Sequence, residues 1–256
     1  MNEKYAIFLD IDGTYNYGAP VPPSANVEAV EKARQAGHKV FINTGRSYGF
    51  IPKEVLDSTE FDGIIAGDGS YIKLGDRVVK SDRIDTETLV SIAGHFSKGD
   101  THCLFEGEND ILSLNIEKGD PAWLRVDNAE DFRTKFIDVP VTKLTITGHL
   151  QKDDKEFIET YLHLIEFEAY CEAIIKGNNK AQGIREVLTY IGIPQENCIA
   201  MGDSLNDMDM IRFAGIGVAM GNATDDLKAE ADFVSVHAKD GGVAYAIDKF
   251  VLDKKS

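Results

Sequence analysis

Short apolar runs with no polar face constrain this chain more than any other feature. "YAIFL", "KVFIN", "GIIAG", "CIAM" and "GIGVAM" are too short to be helices, and their residues are apolar at consecutive positions. Between them lie helix-like stretches, "SANVEAVEKARQAG", "AQGIREVLTYIGI" and "NDMDMIRFAG". Strands that hide both faces need helices above and below, which is the pattern of a parallel sheet. The fold expected is therefore α/β, a doubly wound Rossmann-like parallel-sheet core. Ser24 or Asn26 is the expected N-cap of the first helix and Gly37 its stop.

The middle of the chain reads differently. The stretches "THCLFEGEN", "DILSLNI" and "VTKLTIT" alternate apolar with polar residues, and they are interleaved with the helical patterns "TETLVSIAGHF" and "DKEFIETYLHLI". Alternation implies a sheet with one wet face, an α+β module inserted into the buried sheet. The boundaries expected are 1–82 and 178–256 for the core and 83–177 for the insertion. Trp123, the only tryptophan, is expected to pack within that insertion.

Bulk properties narrow the function classes. The chain has 256 residues and a formal net charge of −16, so nucleic acid and anionic membranes are poor partners. Cys103, Cys171 and Cys198 form no CxxC pair, and the six histidines show no metal-ligand spacing, which leaves surface and helix-end positions for them. Ala6–Leu9 is too short for a signal-peptide core, so a cytoplasmic location is expected. A monomer or weak homodimer is the expected state.

Chemistry belongs where strands end, because ligands of open α/β sheets bind at the carboxyl ends. "YAIFL" exits into Asp10, Ile11, Asp12, Gly13 and Thr14; "KVFIN" into Thr44, Gly45 and Arg46; "CIAM" into "GDSLND", which carries Asp203, Asn206 and Asp207. Lys180 opens a helix after the glycine-containing "KGNN". Residues two apart in a strand share a face, so Asp10 and Asp12 are expected to crowd each other and to need a cation or a shared proton. Taken singly, each residue has an ordinary reading as a turn, a cap or a solvated lysine. Together, the carboxylates suit a hard cation, and lysine, hydroxyl and backbone N–H groups suit an anion beside it.

In order, "DIDGT", "NTGR", Lys180 and "GDSLND" resemble the four motifs of the haloacid dehalogenase superfamily, and "VSVHAKDGGVAYAID" resembles the terminal segment of its Cof-type phosphatase branch. That branch places a large C2-type α/β cap between the second and third motifs, where the insertion sits. The resemblance implies a magnesium-dependent phosphomonoester hydrolase that works through an aspartyl phosphate on a small phosphorylated metabolite, with a sugar phosphate the preferred substrate. It makes Asp10 the nucleophile, Asp12 the acid and base, and Lys180 a catalytic and phosphate-binding residue. Thr44, Gly45 and Asn206 would also bind phosphate, and Asp10, Asp12, Asp203 and Asp207 would hold Mg2+.

Two stretches depart from the pattern. Tyr15 stands where the family commonly has Leu, and Asp68, Gly69 and Ser70 stand in place of a common Asn-Gly-Ala; neither carries phosphoryl chemistry in the resemblance, and both bear on the pocket wall. A phosphotransferase or mutase, a catalytically silent phosphate-binding module and a phospho-receiver domain are the rival readings. Receivers order their acids, hydroxyl and lysine differently and are smaller.

Overall fold

Strand β1 (Ala6–Leu9) is wholly buried, and this places it at the centre of a sheet. In the computed structural model, which describes residues 4–148 and 150–253, the chain divides into two compact units. One comprises Met1–Gly45, Ile51–Val79 and Asn179–Ser256, the other Arg46–Phe50 and Lys80–Asn178. The chain passes between them at Val79–Lys80 and Asn178–Asn179, against 82/83 and 177/178 expected from the change of pattern. Arg46–Phe50, expected with the core, groups with the insertion.

In the first unit β1 is followed by α1 (Ser24–Gln35), β2 (Lys39–Asn43), α2 (Lys53–Leu56), β3 (Gly63–Ala66) and β4 (Tyr71–Leu74), and β5 (Arg77–Ser81) starts in this unit and ends in the second. In the second unit come α3 (Thr86–Phe96), β6 (His102–Gly107), β7 (Ile111–Leu114), β8 (Leu124–Arg125), β9 (Val141–Thr147), α4 (Lys152–Tyr161), β10 (His163–Glu166) and β11 (Cys171–Ile174). The first unit resumes with α5 (Lys180–Ile191), β12 (Cys198–Gly202), α6 (Met208–Phe213), β13 (Ile216–Ala219), α7 (Asp225–Glu230), β14 (Phe233–Val234) and α8 (Gly242–Ile247).

The first unit's sheet runs β14-β13-β12-β1-β2-β3-β4-β5 and is parallel from β14 to β3. Leu9 is in register with Ile42 on one side and Met201 on the other. The strand order therefore reverses at β1, and the exits of β1, β2 and β12 lie on one edge, where such sheets bind ligands. Phe8 stacks on Phe41 at 4.9 Å within the core that α5 and α6 cover.

Asn26 is not a cap. The helix begins at Ser24, directly after Pro23, so Asn26 falls inside the first turn and faces the interior, where its amide must be satisfied. Its Nδ2 donates to the carbonyl of Tyr15 at 3.0 Å and its Oδ1 accepts from the Ala244 amide at 3.1 Å. One side chain thus ties α1 and α8 to the loop that follows β1. Gly37, at φ +91°, follows the end of α1 as expected.

The second unit is the expected α+β module, with strand order β10-β11-β9-β6-β7-β8, antiparallel except for β7 with β8. Cys103, Phe105, Leu144, Ile146 and Ala173 supply its core with α3 and α4. The polar face is less wet than alternation predicts: Glu106, Lys143 and Glu172 are all buried. Lys143 Nζ lies 2.6 Å from Glu172 Oε1, and Thr145 donates to Glu106, so the charges meet each other instead of water. Trp123 is half-buried, edge-on to Phe50 at 6.3 Å. No helix of the described residues is long and apolar enough to cross a membrane.

Asp62 fastens the start of β2 and β3. It accepts from Lys39 Nζ at 2.7 Å, the Val40 amide at 3.0 Å and Arg34 Nε at 3.2 Å. Burial raises its pKa, but the bonds from Lys39, Val40 and Arg34 outweigh it and hold the carboxyl below its ordinary value. A lowered folded-state pKa adds stability that is complete above the unfolded pKa, about 3.9, and lost as pH falls through the folded value. Asp62→Asn should cost about 1–2 kcal/mol at pH 7. Denaturant titrations of both proteins from pH 7 to pH 3 should show the difference constant above about pH 5 and shrinking below about pH 4.

Candidate active site

The strand β1 ends at Leu9, and the chain turns at once: the Tyr15 amide donates to the Asp10 carbonyl at 3.1 Å, and the Thr14 and Asn16 amides to that of Ile11. Asp10 and Asp12 are therefore not a same-face strand pair, which corrects the expectation of mutual crowding. Asp10 is buried and Asp12 exposed. The charges around Asp10 come from Lys180, Asp207 and Asp203.

Lys180, 1% exposed, is the first residue of α5. Asn179 caps that helix by accepting from the Gln182 amide at 2.7 Å, and Asn43, at the end of β2, donates to the Lys180 carbonyl at 3.2 Å. So anchored, the lysine places Nζ 2.7 Å from Asp10 Oδ1 and 2.5 Å from Asp207 Oδ1. Burial alone would lower its pKa, but Asp10 and Asp207 outweigh burial and raise it. The ammonium is held charged.

Asp207 is fully buried and occupied on both oxygens, since Oδ2 accepts from the amides of Asp203 at 2.8 Å and Ser204 at 3.0 Å. It folds the loop after β12 around itself. Gly202 makes room for this, because a Cβ there would lie 2.5 Å from the Asp207 side chain. Asp203, so positioned, accepts from Thr14 Oγ1 at 3.2 Å and from Asn222 Nδ2 at 3.3 Å. Gly13, at φ +82°, leaves the space that Asp203 fills, where a Cβ would stand 2.2 Å from Oδ2.

Carboxylate oxygens of Asp10, Asp203 and Asp207 lie within 4.8 Å of one another. Burial raises the pKa of Asp10 well above its ordinary value, Lys180 opposing and Asp207 and Asp203 adding. Burial likewise pushes Asp203 up to about 7, with Asp207 adding and Lys180 and Thr14 opposing. One ammonium does not compensate three carboxylates, so full ionisation of the cluster is costly without a further cation. An all-oxygen, anionic donor set is what a hard divalent cation requires, so the residues present fit magnesium. Among the described residues no histidine joins the cluster; His149 lies outside them.

The phosphate-binding candidates occupy the same sheet edge. Thr44 follows β2 and is buried, its amide donating to the Ile65 carbonyl at 2.9 Å. Gly45 comes next, and a Cβ built on it would lie 3.0 Å from Asn206 Nδ2 and 3.2 Å from Asp68 Oδ2. Tyr15 and Asp68 part company here. Tyr15 points into the interior, edge-on to Phe61 at 5.6 Å and 3.0 Å from Ser58 Oγ, whereas Asp68 stands beside Gly45. Asn222 escaped sequence reasoning. It follows the exit of β13, bonds Asp203 and the Gly13 carbonyl, and accepts from the Ala238 amide; extending the inspection of strand exits to "GIGVAM" would have found it.

The sequence profile of the haloacid dehalogenase-like hydrolases matches residues 7–247. The 5-amino-6-(5-phospho-D-ribitylamino)uracil phosphatase YcsE of Bacillus subtilis (strain 168) is 29% identical over 254 residues, covering 96% of this chain and 95% of its own. The phosphoglycolate phosphatase of Methanobrevibacter smithii is 28% identical over 257 residues, covering 96% and 98%. The structure of the haloacid dehalogenase subclass IIB sugar phosphatase BT4131 superimposes with a TM-score of 0.82 at 29% identity, over 96% of this chain and 99% of that one. The chain belongs to the haloacid dehalogenase-like hydrolase family and is a phosphatase within it.

Proposed function

We propose that the enzyme is a magnesium-dependent phosphomonoesterase that transfers the phosphoryl group first to Asp10 and then to water, and that its substrate is a small phosphorylated metabolite of the sugar-phosphate class. The observation that carries the reading is Lys180 Nζ seated on Asp10 Oδ1. With that oxygen engaged, the other oxygen of Asp10 is the one left to act as a nucleophile. The substrate class rests on the named relatives, which act on a sugar phosphate, a ribityl phosphate and phosphoglycolate.

Asp10 would attack phosphorus as the bond to the leaving oxygen breaks, and Asp12 would deliver its proton to that oxygen. Asp12 is exposed, which suits a group that must exchange its proton with the substrate and then with water. The deprotonated Asp12 would next take a proton from water, whose oxygen attacks the phosphorus of the aspartyl phosphate. Inorganic phosphate leaves and the Asp10 carboxylate is restored. Asp10, the main-chain carbonyl of Asp12 and Asp203 would hold magnesium, with Asp207 in support through the loop it folds. Bound there, the cation neutralises charge between an anionic nucleophile and an anionic phosphoryl group. Thr44, the Gly45 amide, Lys180 and Asn206 would grip the phosphoryl oxygens.

Phosphate release from an aryl phosphate should require magnesium, and Asp10→Asn should lower it about 10^3-fold or more while the circular-dichroism spectrum and thermal unfolding stay native. Near-full activity in that variant would refute the nucleophile. Free phosphate should account for the substrate consumed in the presence of glycerol; phosphorylated glycerol as the main product would mean a phosphotransferase.

Lys180 yields a second test. Lys180→Met leaves buried carboxylates without their cation and should cost about 3–5 kcal/mol of stability in chelator. Millimolar magnesium should restore part of that loss and stabilise the variant more than the wild type, as thermal unfolding with and without the ion would show.

A further inference from the structure

Asp68 is the one acid at this site that the reading above does not use. It is 1% exposed, and its Oδ2 meets no hydrogen-bond partner among the described residues. A buried acceptor left unsatisfied costs free energy, so its persistence calls for a partner that the described residues do not supply. Its backbone is also unusual. Gly67, Asp68 and Gly69 stand at φ +56°, +50° and +90°, three consecutive left-handed residues of which only the middle one carries a side chain. Non-glycine residues in this region are uncommon and concentrate at functional sites. The loop is pinned, because a Cβ on Gly69 would lie 2.6 Å from the carbonyl of Asn179, the cap of α5. The carboxylate is thereby directed at Gly45, with both oxygens within 3.3 Å of the point where a Gly45 Cβ would be, and it adds to the negative potential that raises the Lys180 pKa.

A carboxylate beside the donors proposed to hold a phosphoryl group repels a fully ionised oxygen and attracts a protonated one. We propose that Asp68 is a specificity-determining residue that accepts a hydrogen bond from a protonated oxygen of the bound phosphoryl group, so that the site selects phosphate over anions of the same shape that carry no proton. This inference rests on the assignment of Gly45, Lys180 and Asn206 to phosphoryl binding. A hydroxyl elsewhere on the substrate offers the same chemistry, but the burial of Asp68 beside Gly45 favours the phosphoryl oxygen, and an inorganic probe separates the two because it has no other hydroxyl. Inorganic phosphate near neutral pH carries at least one proton and sulfate carries none; a phosphomonoester, whose second pKa is about 6, carries one on its phosphoryl group only as the monoanion, which is the form Asp68 selects.

The test is calorimetric titration of inorganic phosphate and of inorganic sulfate into the magnesium-loaded enzyme at pH 7, for wild type and Asp68→Asn. Asparagine keeps the volume of aspartate, tolerates the left-handed backbone and can donate to an unprotonated oxygen; thermal unfolding of the variant verifies the fold. The wild type should bind phosphate at least about tenfold more tightly than sulfate, and Asp68→Asn should bring the ratio to within about threefold, chiefly by tightening sulfate. Equal binding of the two anions by the wild type, or an unchanged ratio in the variant, would overturn the role of Asp68. Absence of phosphate binding in both proteins would instead overturn the phosphoryl-site assignment, and the inference with it.

Discussion

A single buried ammonium between two carboxylates organises the catalytic unit. Lys180 is reached only if α5 begins where it does, which depends on the Asn179 cap and on Asn43 at the end of β2. Asp207 can meet it only because the loop after β12 folds back on its own amides. Asp10 completes the set from β1. Three segments separated by 170 and 27 residues in sequence are thus fixed to one another by one charge, in surroundings where removing the lysine leaves both carboxylates uncompensated. Such a bridge gives little net stability over an apolar core of equal volume. Its value lies in specifying where each oxygen points.

The same bridge explains the charge of the site. One lysine does not neutralise Asp10, Asp203 and Asp207, and burial raises the pKa of both Asp10 and Asp203. Ionising all three carboxyls is therefore costly in the folded protein, although backbone amides, a threonine and an asparagine hold their oxygens in place at the edge of the sheet. A divalent cation lowers that cost directly. On the proposed reading, an anionic phosphoryl group would be tolerated only beside such a cation, since without it phosphate would meet three carboxyl groups and one ammonium.

Much of this was legible in the sequence because the physics concerned was local. Apolar runs without a polar face announced the parallel sheet, alternation announced the inserted α+β unit, and strand exits announced Asp10, Thr44 and Asp203. What escaped depends on where the chain turns. Asp10 and Asp12 obey strand periodicity only if the strand continues through them; it stops at Leu9, and one carboxylate goes inward while the other meets solvent. Asn26 was misread as a cap because the helix starts two residues earlier and rotates it into the core. The wet face expected of the inserted sheet is closed by Lys143 and Glu172, a pairing between strands 29 residues apart that no local pattern records.

Glycine makes the remaining part of the site intelligible. At Gly13 and Gly202 the absent side chain is the space that a carboxylate occupies, Asp203 in one case and Asp207 in the other. Neither could be replaced by alanine without displacing an oxygen of the cluster, so the requirement at these positions is set from across the site instead of by the local turn alone. Gly69 works in the same way against the carbonyl of Asn179, and through it the loop bearing Asp68 is coupled to the helix bearing Lys180. The close approach of backbone to side chain at these glycines converts a flexible set of loops into a fixed ring of oxygens. That rigidity is what electrostatic preorganisation demands of the proposed phosphoryl site, because charges already held in place would need no reorganisation on binding.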